Sequence, residues 1–110
     1  MLYVEQNGTI RLTRGDTARL IVPIENEVTH QLYDMLSTDI LKFTIKKTVK
    51  DSVPRVQKVV TGSNVFHILP ADTHKLDFGK YVYDVELTTG MDVYTVIEPS
   101  CFEVMKEVTD

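Results

Sequence analysis

Asp72, His74 and Asp77 fall within one short stretch, and a histidine flanked by two carboxylates could hold a divalent cation or share a proton. The same residue types serve as acidic caps and a solvated imidazole on a helical turn, a reading that needs no metal. His30 and His67 stand apart, with no ligand spacing around them. Cys101 is the single cysteine, so no internal disulfide can form. A nucleophilic thiolate there would need basic neighbours, and a small half-buried core residue is the simpler role. The chain contains no glycine-rich phosphate loop, nucleophile elbow or paired-cysteine motif. These readings predict a non-enzymatic protein with no metal and no cofactor.

Two further motifs invite function. Arg14-Gly15-Asp16 spells the integrin-binding tripeptide, yet Gly15 is accounted for by a turn that needs positive φ, and Asp16 by a side-chain bond to the backbone of Thr17 or Ala18. Asn7-Gly8-Thr9 matches the glycosylation sequon. The first residues lack a basic and then apolar leader pattern, so the expectation is an intracellular chain with that sequon unused.

Any such site must be positioned by a fold of 110 residues, the size of one domain, residues 1–110. Val (15), Thr (13) and Ile (7) outnumber the two alanines heavily, which favours pleated sheet over helix. A formal charge of −4 argues against nucleic acid as a partner, and no apolar run is long enough for a membrane-spanning helix.

Alternation of apolar and polar residues predicts about seven strands. Ile10 and Leu12 alternate in residues 9–13; Ala18, Leu20, Val22 and Ile24 line one face of the next strand. Residues 25–39 lack periodicity and read as a long loop, with Leu32, Tyr33 and Leu36 tucked beneath it in a short helical turn. Leu41, Phe43, Ile45 and Val49 then face inward, with Lys42, Lys46 and Lys50 outward beside Asp84 and Glu86. The turn cluster Thr61-Gly62-Ser63-Asn64 predicts a hairpin of residues 55–60 with 65–69, Val60 opposite Val65 and Lys58 opposite His67. Residues 70–76 read as a helical turn crossing between sheets. In residues 79–88, Tyr81, Tyr83, Val85 and Leu87 point inward. The turn at residues 89–92 pairs Thr88 with Val93, which puts Tyr94 and Val96 in the core. Pro99 cannot donate to a ladder and should bend or bulge the last strand, and the tail 106–110 should fray.

This pattern predicts an all-β, immunoglobulin-like antiparallel β-sandwich with a short helical turn at the crossover. Asp77-Phe78-Gly79-Lys80-Tyr81 has the spacing of a tyrosine corner, in which a hydroxyl bonds to backbone a few residues upstream. The registers push two apolar sets outward, Val82, Val93 and Ile97 on the last hairpin and Val56, Val60, Val65 and Leu69 on the preceding one. Of these, Val82, Val93, Ile97, Val60 and Val65 are the candidate interface residues.

The strings Thr13-Arg14-Gly15-Asp16-Thr17, Lys42-Phe43-Thr44-Ile45-Lys46-Lys47, Leu69-Pro70-Ala71-Asp72-Thr73 and Gly79-Lys80-Tyr81-Val82-Tyr83-Asp84-Val85 occur in that order. Together, over residues 8–105, they resemble small structural proteins of tailed bacteriophages and prophages, similar to the immunoglobulin-like N-terminal domain of baseplate upper proteins. The resemblance implies a virion module assembled in the bacterial cytoplasm. Its partners would be phage tail or baseplate proteins or copies of itself, with no cofactor. The sequence stops at Asp110 without a receptor-binding or trimerising region, so the expected role is accessory, in tail, neck or baseplate. A soluble domain binding a small ligand or carbohydrate is the main alternative, and a metal-dependent enzyme built on the crossover is a third.

Overall fold

Residues 79–88 carry the clearest alternation in the sequence, and they form the middle of the largest sheet. The structure, a computed structural model, describes residues 2–4, 8–26 and 28–107. Its elements are β1 (Leu2–Val4), β2 (Ile10–Thr13), β3 (Ala18–Ile21), β4 (Ile40–Lys46), β5 (Val56–Thr61), β6 (Val65–Ile68), α1 (Pro70–His74), β7 (Gly79–Thr89) and β8 (Asp92–Met105). Six strands form one sheet in the order β1-β2-β8-β7-β4-β5, and β3 with β6 forms a second, two-stranded layer. β2 runs parallel to β8, and the other pairings are antiparallel. The all-β expectation therefore holds. Among the described residues, no helix is long and apolar enough to cross a membrane.

Tyr81, Tyr83, Val85 and Leu87 of β7 are buried as the alternation requires, and Leu41, Phe43 and Ile45 of β4 lie beside them. Phe43 is the hub: its ring centroid lies 5.4 Å from Tyr83, 5.6 Å from Phe66 and 6.2 Å from Phe102. Tilted and edge-on contacts at these separations are the favourable geometry for aromatic pairs. Phe66 belongs to the small layer, so this cluster joins the two sheets.

The expected hairpin across residues 61–64 does not form. β5 pairs with β4, with Leu41 opposite Val60 and Ile45 opposite Val56, while β6 pairs with β3. The reason lies in phase. A hairpin with Val60 opposite Val65 would place Phe66 and Ile68 on the face opposite to Val56 and Val60, so one set would face water. Changing sheets at the turn lets both sets point inward: Val56, Phe66 and Ile68 are buried and Val60 packs against them. Val59, expected inside, faces outward opposite Lys42 and is 56% exposed. Lys58 shares the inward face of β5 and carries its ammonium out to Asp72, 2.8 Å away.

The last hairpin keeps the expected pairing of Thr88 with Val93 and then departs from it. β8 places Thr95 opposite Glu86, Ile97 opposite Val85 and Ser100 opposite Tyr83, so it accommodates two extra residues in two bulges on either side of Ile97. The bulge at residues 98–99 is the one Pro99 demands. The bulge at Val96 turns Ile97 from the outer to the inner face, where both residues pack against the core. Tyr94 stands opposite Leu87 as expected but is 54% exposed, because the hairpin tip runs past the short β3–β6 layer.

Residues 25–26 and 28–39 form a loop in which, among the described residues, the expected helical turn does not occur. Glu25 bridges to Leu32, and Asn26 accepts the His30 N–H at its carbonyl and the Val28 and Thr29 N–H groups at Oδ1. Tyr33 and Met35, rather than Leu32 and Leu36, pack on the core. Val49, expected inward, is exposed in the turn after β4. Of the tail 106–110 expected to fray, Glu107 is instead held by Arg14 at 3.0 Å, and residues 108–110 lie outside the described residues, as does Asn7 of the sequon.

The crossover through α1 is tied down as the sequence anticipates. Pro70 occupies the first helical position, and the Asp72 carboxylate accepts the Leu69 N–H at 2.7 Å. The Tyr81 hydroxyl donates to the Asp77 carbonyl at 2.8 Å, which is the tyrosine-corner bond. Burial raises the Tyr81 pKa above the ordinary phenol value. Replacing Tyr81 with Phe should keep the fold and cost about 1–3 kcal/mol in chemical denaturation, through the Asp77 carbonyl left without its donor. A cost below about 0.5 kcal/mol would show that the bond anchors nothing.

Candidate docking surface

Of the crossover trio, Asp72 and the Asp77 backbone take part in structural bonds, and the His74 side chain is exposed. Asp72 accepts both Lys58 Nζ and the Leu69 N–H, and the Asp77 carbonyl accepts Tyr81. Among the described residues, no group of three His, Cys, Asp or Glu is arranged to hold a metal ion. Cys101 is half-buried opposite Val82. His30 pairs with Glu25 at 3.1 Å in the exposed loop.

The Arg14-Gly15-Asp16 turn points its arginine inward. The Arg14 guanidinium lies 4.2 Å from the centroid of the Phe78 ring and donates to Glu107 Oε1 at 3.0 Å and to the Leu76 carbonyl at 3.5 Å. Gly15 has φ +84° and its N–H donates to Oγ1 of fully buried Thr73 at 2.9 Å. This turn is therefore a clamp that joins β2, the crossover and the end of β8.

The lysine row on β4 lies beside the acids on β7, as expected. Lys42 stands opposite Glu86 with Nζ 3.9 Å from the carboxylate, while Asp84 stands opposite Thr44. Burial raises the Asp84 pKa and Glu86 adds to the shift, against the opposing pull of Lys46 and Lys42. Lys50 lies beyond β4, in the following turn. Thr44, Lys46, Val49, Val82, Tyr83, Asp84 and Pro99 line a depression of about 50 Å³, space for a water molecule or two rather than a sugar.

The five candidate interface valines and isoleucine separate. Val93 is 58% exposed on the outer face and Val82 is half-buried at the depression. Ile97 is turned inward by the β8 bulge and Val60 packs on the core from β5, so neither belongs to an outer patch. Val65 is half-buried on β6, opposite Ile21. Of the remaining outward set, Val56 is buried, and Leu69 is exposed as expected.

What the fold gathers instead is an apolar cap at one end of the strands. Ile40, Thr88 and Val93 form one cross-strand row on the outer face, with fully exposed Met91 at the hairpin tip and Tyr94 on the other face. Leu36 and Leu32 add exposed aliphatic surface from the neighbouring loop. The signal in the sequence was the lack of clean alternation in residues 25–39, where Leu32 and Leu36 fall out of phase with the core-packed Tyr33 and Met35. No protein-family model, curated protein or solved structure matches this chain.

Asp39 holds this end together. Its side chain is fully buried and accepts the Tyr33 hydroxyl at 2.5 Å and the Leu36 N–H at 2.9 Å, while its carbonyl accepts the Gly62 N–H at 2.7 Å. Gly62 has φ +67°, and a Cβ there would lie 3.0 Å from the Ser37 carbonyl oxygen. The hydrogen bond from Tyr33 is the main cause holding the Asp39 pKa below the ordinary carboxylate value. The folded state thus binds this proton less readily than the unfolded chain. The resulting stability is present above the unfolded value of 3.8 and is lost as pH falls through the lower folded value. Denaturation of Tyr33→Phe as a function of pH should show a lower plateau at neutral pH and a shallower loss into acid than the parent; parallel curves would show that the bond does not hold the ionised form.

The bulge makes a second test at neighbouring positions. Val93→Lys should change stability by no more than about 0.5 kcal/mol, whereas Ile97→Lys should cost about 1–3 kcal/mol in urea unfolding. Equal effects would refute the inward turn of Ile97.

Proposed function

We propose that this chain is a non-enzymatic structural module of a tailed bacteriophage or prophage. In this reading it is an immunoglobulin-like sandwich that docks to copies of itself or to other tail, baseplate or neck proteins in the virion. The tyrosine-corner bond, the helical crossover between layers and the bulged final hairpin support the immunoglobulin-like reading. The observation that carries docking is the apolar cap at the hairpin end, where Met91 is 100% exposed and Val93 and Tyr94 are more than half exposed. Single exposed apolar residues are ordinary, but a cluster along one row and the adjoining loop is the signature of a surface that a protein covers. A small-ligand reading has less support, because the depression on the outer face is of water size and Tyr83, the one aromatic residue along it, buries its ring in the core instead.

Sedimentation velocity and light scattering on the purified chain, across concentration and ionic strength, test the self-docking form of this reading. Reversible oligomers that Val93→Lys weakens without loss of the folded circular dichroism spectrum are expected. A chain monomeric under every condition overturns self-docking.

A further inference from the structure

The strand ends separate charge along the molecule. The eleven residues of β7 span about 36 Å at ~3.3 Å per residue, most of the 45 Å long axis, so the strand ends lie at its two poles. One pole collects the ends of β3, β5 and β7, the starts of β4, β6 and β8, and residues 22–26 and 28–39. No lysine or arginine occurs between Arg19 and Lys42, between Lys58 and Lys75, or between Lys80 and Lys106. That pole therefore presents the apolar cap with exposed Glu25, Asp34 and Asp92, and His30 is its one basic-type side chain among the described residues.

The opposite pole has the reverse character. Lys50, Arg55, Lys75, Lys80 and Lys106 cluster there at the end of β4, the start of β5, after α1, the start of β7 and after β8. All five are exposed, and none makes an ion pair among the described residues. Carboxylates at this pole are already taken, Asp72 by Lys58 and Glu107 by Arg14. Glu103, opposite Lys80, is taken by Arg11, and Asp51 and Asp77 stand against the surplus of lysines and arginine.

We infer that the occupant of the acidic, apolar pole is the basic pole of a second copy of this chain, joined head to tail along the long axis. The inference rests on the docking reading above and names its partner and geometry. Charge complementarity selects the opposite pole over the same pole, since pairing two acidic caps would set like charges against each other. The cross-section is 27 × 24 Å, so an end-on contact covers about 500 Å² on each copy, near the lower limit for a specific interface. Such a contact is reversible and salt-sensitive. Because it uses two different surfaces, it leaves a free pole at each end of a dimer and continues into a ring or a filament.

Complementary capping tests this geometry. One variant carries Met91→Lys and Val93→Lys and keeps the basic pole; the other carries Lys50→Glu and Lys75→Glu and keeps the acidic pole. All four positions are exposed, and Met91→Ser with Val93→Thr replaces the lysine pair if that variant loses its folded spectrum. Each variant alone should stay at 12.6 kDa by sedimentation at low salt, and their equimolar mixture should give a species of twice that mass and nothing larger. Raising ionic strength from ~0.01 M to ~0.5 M should slow association of the parent about tenfold or more. If the parent forms oligomers but the mixture stays monomeric, or either variant assembles like the parent, head-to-tail pairing is overturned while docking stands. A parent monomeric throughout overturns self-docking and head-to-tail pairing with it, and leaves docking to other proteins standing.

Discussion

The burial of Phe43 is the constraint on which the two layers depend. Its ring meets Tyr83 and Phe102 in its own sheet and Phe66 in the other, so a single side chain sets how the small layer sits on the large one. Stacked sheets stand about 10 Å apart, and aromatic rings bridge that gap with few residues. A layer of two four-residue strands can therefore close the core against six strands only where the rings meet. Where the rings end, so does the cover, and the tip of the β7–β8 hairpin stands beyond it.

The excess length of β8 follows from the same requirement. Tyr81 and Phe102 must stay opposite each other beside Ile10, while the tip keeps the register set by its tight turn. Two registers in one strand pair can coexist only if extra residues are absorbed between them. The bulges around Ile97 do this, and they exchange the face on which Ile97 lies.

The two poles close by different chemistry. At one, Arg14 joins Glu107, the Leu76 carbonyl and the Phe78 ring, drawing its cation out of the surface. At the other, Oδ2 of the buried Asp39 carboxylate accepts a phenol and an amide, while Oδ1 is buried without a hydrogen-bond partner. Neither arrangement is available for binding. The surface chemistry is left to exposed lysines at one end and to aliphatic side chains with scattered acids at the other.

The alternation of β2, β4 and β7, the tyrosine corner and the pairing of Thr88 with Val93 could be read from the sequence alone. Each depends on neighbours close in the chain: a period of two, a turn of known length, or a bond spanning four residues. The partner of β5, the inward turn of Ile97 and the exposure of Tyr94 could not. Residues 55–60 have apolar side chains on both faces, so pattern alone permits either phase, and the choice falls to whichever arrangement buries most surface across strands distant in sequence. The same limit applies to the candidate surface. Val93 was legible as outward, but the cap formed with Ile40, Met91 and Tyr94 exists because β4 and the β7–β8 hairpin end together and the second layer stops short. The absence of lysine and arginine from those segments was written in the sequence; that all of them meet at one pole was decided by strand pairing.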